Sequence, residues 1–237
     1  MGATYGDIDL YNKYAELTQC DAIFATGNIG LFYDTDCRGD VYPISNFQEY
    51  LDGNKEFIKP IIAVPGSAEN HLLLQDIIDG KIFIDNFTLL GQGEKYKHYK
   101  SENDGVGITG LGKVYSPKSY SSNHPKKHHM NYEDVMRVRQ NFETNVLLMH
   151  ELPGPYKKKE IEFTSDMLTL INETLAFFCF VGHYEKWFSF DYSKTNGGKM
   201  VICSLPRAID GYAILDTKRW SLEGVNLISE GEDECKQ

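Results

Sequence analysis

Asp21-Ala-Ile-Phe-Ala-Thr-Gly-Asn28 is an apolar run of strand length that stops in a glycine and an amide, and the same design recurs three times further along the chain. Pro60-Ile-Ile-Ala-Val64 ends at Pro65-Gly66, Asn145-Val-Leu-Leu-Met149 delivers His150, and Leu175-Ala-Phe-Phe-Cys-Phe-Val181 delivers Gly182-His183. Short continuous apolar runs bounded by turn residues are the pattern of strands buried on both faces. Helical stripes lie between them. Apolar or aromatic residues at 8, 10, 11, 14, 15 and 17 follow the capping-type Asp7, and further helices are predicted over 47–51, 68–78, 131–142 and 164–175. Additional strands are expected at 82–84, 88–90, 106–109, 188–192, 199–203 and 212–216, with a turn at Asn196-Gly-Gly198. This alternation predicts an α/β fold with helices covering the sheets. Residues 1–229 are expected to form one domain and 230–237 a frayed polar tail.

Composition narrows the class. The chain has 237 residues, 41% of them hydrophobic, and 24 Lys+Arg against 34 Asp+Glu leave a net charge of −10. An acidic surface does not wrap nucleic acid non-specifically, because that binding rests on counterions released around Lys and Arg. Three local basic runs stand out, Lys95-Tyr-Lys-His-Tyr-Lys100, Lys126-Lys-His-His129 and Lys157-Lys-Lys159, and each reads first as a solvated loop. His124, His128 and His129 fall in the same Lys-rich stretch without regular ligand spacing. No apolar run reaches the ~20 residues that span a bilayer. The first residues lack a secretory pattern, and the five cysteines, at 20, 37, 179, 203 and 235, contain no CxxC pair. A reducing, cytoplasmic or nuclear location is the expectation.

In open α/β sheets ligands gather at the carboxyl ends of strands. Asn28, Ser67, His150 and His183 all follow such ends, so they are expected to converge at one edge. In this order of motifs the chain resembles the calcineurin-like metallophosphoesterases. It is closest in flavour to the lariat debranching enzyme and to the phosphoesterase-like amino-terminal domains of splicing-associated factors. The family's D-x-H-G would fall on Ala3-Thr-Tyr5-Gly6, its G-D on Gly27-Asn28, and its G-N-H-E on Gly66-Ser67-Ala68-Glu69. Its lone histidine would be His150, and its G-H-x-H would be Gly182-His183-Tyr184-Glu185. Gly110-Leu-Gly-Lys-Val-Tyr115 and the closing Leu205-Pro-Arg207 and Tyr212-Ala-Ile-Leu-Asp216 also match in place.

The resemblance implies a four-layer αββα sandwich and, at most of the family's metal positions, the wrong residue. Two-metal hydrolysis needs carboxylates and imidazoles around ions ~3.5–4 Å apart. Here the bridging carboxylate is the amide Asn28, and the proton donor beside the leaving group is Ala68. His150, His183 and Asn28 would form at most one residual site for a loosely held zinc or manganese, and no other cofactor is expected. Tyr5, Ser67, Ala68 and Glu185 would line a vestigial pocket, with no catalytic residue among them. The leading reading is therefore a degenerate phosphoesterase-fold protein that binds or scaffolds a protein partner. An active phosphodiesterase with an atypical or mononuclear site is the alternative, drawing carboxylates from Asp7, Asp34, Asp36, Asp40 or Glu69, and an RNA-associated subunit is the third. Under the leading reading, exposed aromatics at Tyr96, Tyr99, Tyr115, Tyr120, Tyr156 and Trp187 would supply the contact surface.

Overall fold

The computed structural model describes residues 1–31, 45–101, 104–120, 128–141, 143–152, 156–157, 160–161, 164–184 and 186–227, with backbone alone at 99–101, 104, 156–157 and 160–161. Two sheets face each other. The first is parallel, in the order β1 (Ile23–Ala25), β2 (Ile61–Ala63), β3 (Phe87–Leu89). The second comprises β4 (Lys95–Ser101), β5 (Asp104–Leu111), β6 (Val146–Met149), β9 (Phe178–Val181), β10 (Phe188–Ser193) and β11 (Lys199–Ser204). Its order is β10-β11-β9-β6-β5-β4, parallel from β5 through β6 and β9 to β11 and antiparallel at both edges. β7 (Tyr156–Lys157) and β8 (Glu160–Ile161) make a two-residue ladder, and β12 (Gly211–Asp216) pairs with β13 (Ser221–Asn226) in a separate hairpin.

Strand alternation sorts the core into three slabs. On β2, Ile61 and Ala63 point to the helices α1 (Asp9–Thr18), α2 (Phe47–Leu51) and α3 (His71–Ile78), where Tyr11, Phe47 and Leu74 are buried. Ile62 points the other way, into the layer between the sheets, and meets Ile108, Leu148, Phe178 and Phe180 there. The outer face of the second sheet, with Leu147, Cys179 and Ile202, packs on α5 (Tyr132–Arg139) and α6 (Ser165–Glu173). The remaining helix, α4 (Pro117–Tyr120), is one turn long. Helix, sheet, sheet, helix is the expected αββα sandwich.

Local chemistry sets the helix ends. Asn70 accepts hydrogen bonds from Leu72 N and Leu73 N, Asn131 and Asp134 form a reciprocal capping box, and Thr164 accepts from Met167 N. Past the carboxyl end of α6, the buried Lys194 donates from Nζ to Thr174 O at 2.7 Å and Ala176 O at 2.9 Å. Its charge sits where the helix dipole is negative, and burial holds its pKa below the ordinary lysine value.

Three expectations are corrected, and one strand has no counterpart among them. Ile82–Ile84 is not a strand; it is the turn region after α3, with only Ile84 buried. Lys95–Lys100 belongs to the edge strand β4, whose partner β5 supplies the backbone bonds that a charged, aromatic sequence does not advertise. The hairpin strand β13, polar and carrying a glycine, leaves no periodic signal. At the front of the apolar run, Leu175 and Phe177 are largely exposed, because the strand begins only at Phe178.

The two sheets touch closely at Gly110, where an added Cβ would stand 2.7 Å from Leu90 Cβ and 2.9 Å from Val64 Cγ1. Gly110→Ala is therefore expected to overpack the central layer and lower stability by about 1–3 kcal/mol, read as a lower urea midpoint with unchanged slope.

Candidate functional site

Four turns after β1, β2, β6 and β9 come together with the amino-terminal segment. The first passes through Gly27 (φ 92°), Asn28 (φ 50°) and Gly30 (φ 114°), a left-handed stretch that glycine and asparagine tolerate best. Backbone bonds from Thr4 N and Tyr5 N to Asn28 O, and from Gly6 N to Ile29 O, lay the amino-terminal segment along it. The Asn28 amide then faces the second turn: its Oδ1 accepts from Ser67 N at 3.0 Å and Ala68 N at 3.2 Å. Its Nδ2 donates to Tyr5 Oη over a long 3.4 Å. Gly66 is required there, since a Cβ would overlap Asn28 N and Oδ1.

Glu69 completes the join. Its carboxyl lies in the protein interior and accepts from Ile29 N at 2.5 Å and Gly66 N at 2.6 Å, one oxygen to each turn. Burial pushes its pKa up to about 7, and backbone N–H donors, those of Ile29 and Gly66 first, pull it back only in part. Both oxygens are used on backbone, so Glu69 does not supply the ligand carboxylate of the alternative reading. Asp7 is exposed, and Asp34, Asp36 and Asp40 lie outside the described residues.

The histidines meet on the far side of the same turns. His150 is buried, and its Nδ1 lies 2.8 Å from Thr26 O. A carbonyl only accepts, so Nδ1 carries the proton of this bond. His150 O accepts from Gly182 N and His183 N, which sets the two imidazoles 5.2 Å apart between centroids at 75°. His183 Nε2 is 3.8 Å from Glu151 Oε1, while Glu151 Oε2 accepts from Tyr115 N at 2.7 Å. Glu151 is the neighbour that sequence reasoning missed, and its only signal was that it follows His150.

The structure thus places Tyr5, Asn28, Ser67, Ala68 and His150 on adjoining turns and sets His183 against His150; Glu185 lies outside the described residues. Among the described residues the donor chemistry does not fit a pair of divalent ions. Among the described residues no three His, Cys, Asp or Glu side chains converge as a metal-holding group. Asn28 is neutral and its oxygen already serves two backbone donors, so it does not itself offset the repulsion of two dications. What the arrangement offers is two imidazoles and a half-buried carboxylate at the mouth, able to bind a polar group.

The surface expectations fare differently. Lys95 and Lys97 both pair with Glu143, at 2.6 and 3.1 Å. Trp187 packs against the backbone of Gly224 in the inter-sheet layer, Tyr96 is half-buried against the same layer from β4, and Tyr115 and Tyr120 pack on the α5–α6 side. These four rings are not an open patch, since each fills the edge of a core slab. The side chains of Tyr99 and Tyr156, with His124, Lys126 and the 230–237 tail, lie outside the described residues. No described helix is long and apolar enough to cross a membrane.

By sequence, no protein family and no curated protein matches the chain. By structure, a 5'-nucleotidase precursor from Thermus thermophilus superposes with a TM-score of 0.50 at 13% identity, over 94% of this chain and 48% of that one. The NAD nucleotidase NadN of Haemophilus influenzae aligns at TM-score 0.45 and 10% identity, over 90% of this chain and 46% of its own, too loosely to carry an argument. The chain spans about half the length of either. The chain shares its mixed α/β sandwich with that 5'-nucleotidase precursor.

Glu69 makes stability depend on pH in a defined direction. The unfolded chain releases its proton near the ordinary glutamate value and the folded chain only near 7, so the contribution of Glu69 is complete in acid and is lost as pH rises toward 7. In Glu69→Gln one of the two backbone donors loses its acceptor, a loss of about 1–3 kcal/mol. The expected result is a lower urea midpoint for the variant at pH 5, and a gap to wild type that narrows between pH 5 and 8.

Proposed function

We propose that this chain is a phosphoesterase-fold protein that works by binding rather than by two-metal hydrolysis. The observation that carries the reading is Asn28. At the position where the resembling family keeps a bridging carboxylate stands a neutral amide, engaged with Ser67 N and Ala68 N. Ala68 stands where the resembling family keeps its proton-donating histidine, so both the charge that holds two cations and that family's proton donor are replaced. The ligand of such a module is a protein partner, and the imidazole pair with Glu151 is a place where a polar group of that partner can be received.

A second reading, a single-metal phosphodiesterase, draws on one specific observation. His150 presents a ring fixed by its bond to Thr26 O, and His183 and Glu151 stand next to it. The two readings separate in one assay. Purified protein with added manganese is expected to hydrolyse a generic phosphodiester no faster than buffer, and Asn28→Asp alone is expected to stay inactive because Ala68 is unchanged. A manganese-stimulated rate that disappears in His150→Ala would establish the second reading.

A further inference from the structure

Of the chain's asparagines only Asn196 is followed by glycine. The pair sits in the turn 194–198 that joins β10 to β11, where Thr195, Asn196, Gly197 and Gly198 are all exposed. Lys194 N on Gly198 O at 2.8 Å and Gly197 N on Lys194 O at 3.0 Å close the turn. Gly197 has φ 84°, and a Cβ placed on it would meet nothing within 4 Å, so the Asn196–Gly197 peptide stands clear of the other described residues.

The Asn196 side chain is folded forward over that peptide. Its Oδ1 accepts from Gly198 N at 3.0 Å, an Asx turn that carries Cγ over the intervening Gly197 N. Its Nδ2 donates to Asn172 O at 3.3 Å, near the end of α6. An amide carbonyl under attack develops negative charge on its oxygen, and a backbone N–H already aimed at that oxygen stabilises the charge. A nucleophile on the neighbouring residue needs no encounter with a second molecule. The missing Cβ at position 197 leaves its approach open.

We propose that Asn196 is a self-modifying site, converted without an enzyme to aspartyl and isoaspartyl forms in the folded protein. Hydroxide takes the proton of Gly197 N, which gives up its bond to Lys194 O. That nitrogen then bonds to Asn196 Cγ, the Cγ–Nδ2 bond breaks, and Nδ2 leaves as ammonia with a proton from water. Water opens the resulting five-membered imide at Cγ, giving aspartate, or at the main-chain carbonyl, giving isoaspartate. No oxidant or reductant is consumed. The change reaches past the turn. Asn172 O is among the last carbonyls of α6, which have no partner within the helix, and either product deprives it of Nδ2. Isoaspartate also adds a carbon to the main chain of the turn that positions Lys194, whose Nζ holds Thr174 O and Ala176 O. This site lies apart from the imidazole pair, and its chemistry does not rest on the binding reading.

The test warms the full folded chain at pH 8 and samples it over time beside a synthetic peptide of residues 193–199. Trypsin, cutting after Lys194 and Lys199, releases residues 195–199. Mass spectrometry reads the exchange of ammonia for water in that fragment, chromatography separates its aspartyl and isoaspartyl forms, and a zero-time sample sets the digestion background. Asn196 of the folded chain is expected to convert at a rate within about tenfold of the peptide's, faster at higher pH. Asn54, exposed but followed by Lys55, is expected to convert at least tenfold more slowly than Asn196. Gly197→Ala, which puts a Cβ in the line of approach, should slow the reaction at least tenfold. Alanine is strained at that φ, so circular dichroism checks the variant's fold, and the comparison of wild type with peptide needs no variant at all. The purified isoaspartyl form should melt at a lower temperature than the fresh chain. Asn196 surviving in the folded chain more than about tenfold longer than in the peptide overturns the proposal, because the turn then shields the bond. Comparable conversion at Asn54 overturns it too, as does a Gly197→Ala chain that converts at the wild-type rate. An unchanged melting temperature overturns the link to α6.

Discussion

A single buried carboxyl ties the site end of this protein together. Glu69 holds the N–H of Ile29 with one oxygen and the N–H of Gly66 with the other, so the turns after β1 and β2 cannot part without leaving two buried donors unmatched. Asn28 repeats the logic from the opposite turn, its amide oxygen satisfying Ser67 N and Ala68 N. Both side chains are of types that elsewhere carry chemistry, and here both are committed to backbone. That commitment limits what these two side chains can do in the site.

The same commitment explains why the histidines stand apart. His150 is fixed by Thr26 O, one turn away from the Glu69 clasp, and it in turn positions His183 through two backbone bonds. Strand ends fix where the two imidazoles stand, whereas the side-chain type at positions such as 28 is not constrained by the strands. Fold and chemistry are therefore separable here. The sandwich needs Ile62, Leu148 and Phe180 in the inter-sheet layer, and it is indifferent to whether position 28 is an acid or an amide.

Much of the fold was legible because buried parallel strands are written as continuous apolar runs: β2, β6 and β9 all stand inside segments read as strands. Their terminal residues were legible too, since glycine, asparagine and histidine break those runs. β4 was not, because an edge strand needs no apolar run and Lys95-Tyr-Lys-His reads as solvated loop. Trp187 was misread as exposed because nothing local shows that Gly224, far along the chain, makes room for its ring. The role of Glu69 was hidden for a related reason: a carboxylate in sequence looks like a ligand, and only the tertiary approach of two turns turns it into a clasp.

The strand order also governs when the protein can fold as it leaves the ribosome. Ile62, Val64 and Leu90 face the inter-sheet layer, yet the surfaces that cover them, β6 and β9, are made only when synthesis reaches Val146 and Phe178. Each parallel neighbour must wait for a crossover, and such distant pairings form slowly. For most of its synthesis the first sheet is therefore an apolar face without its mate, the kind of surface that general chaperones hold.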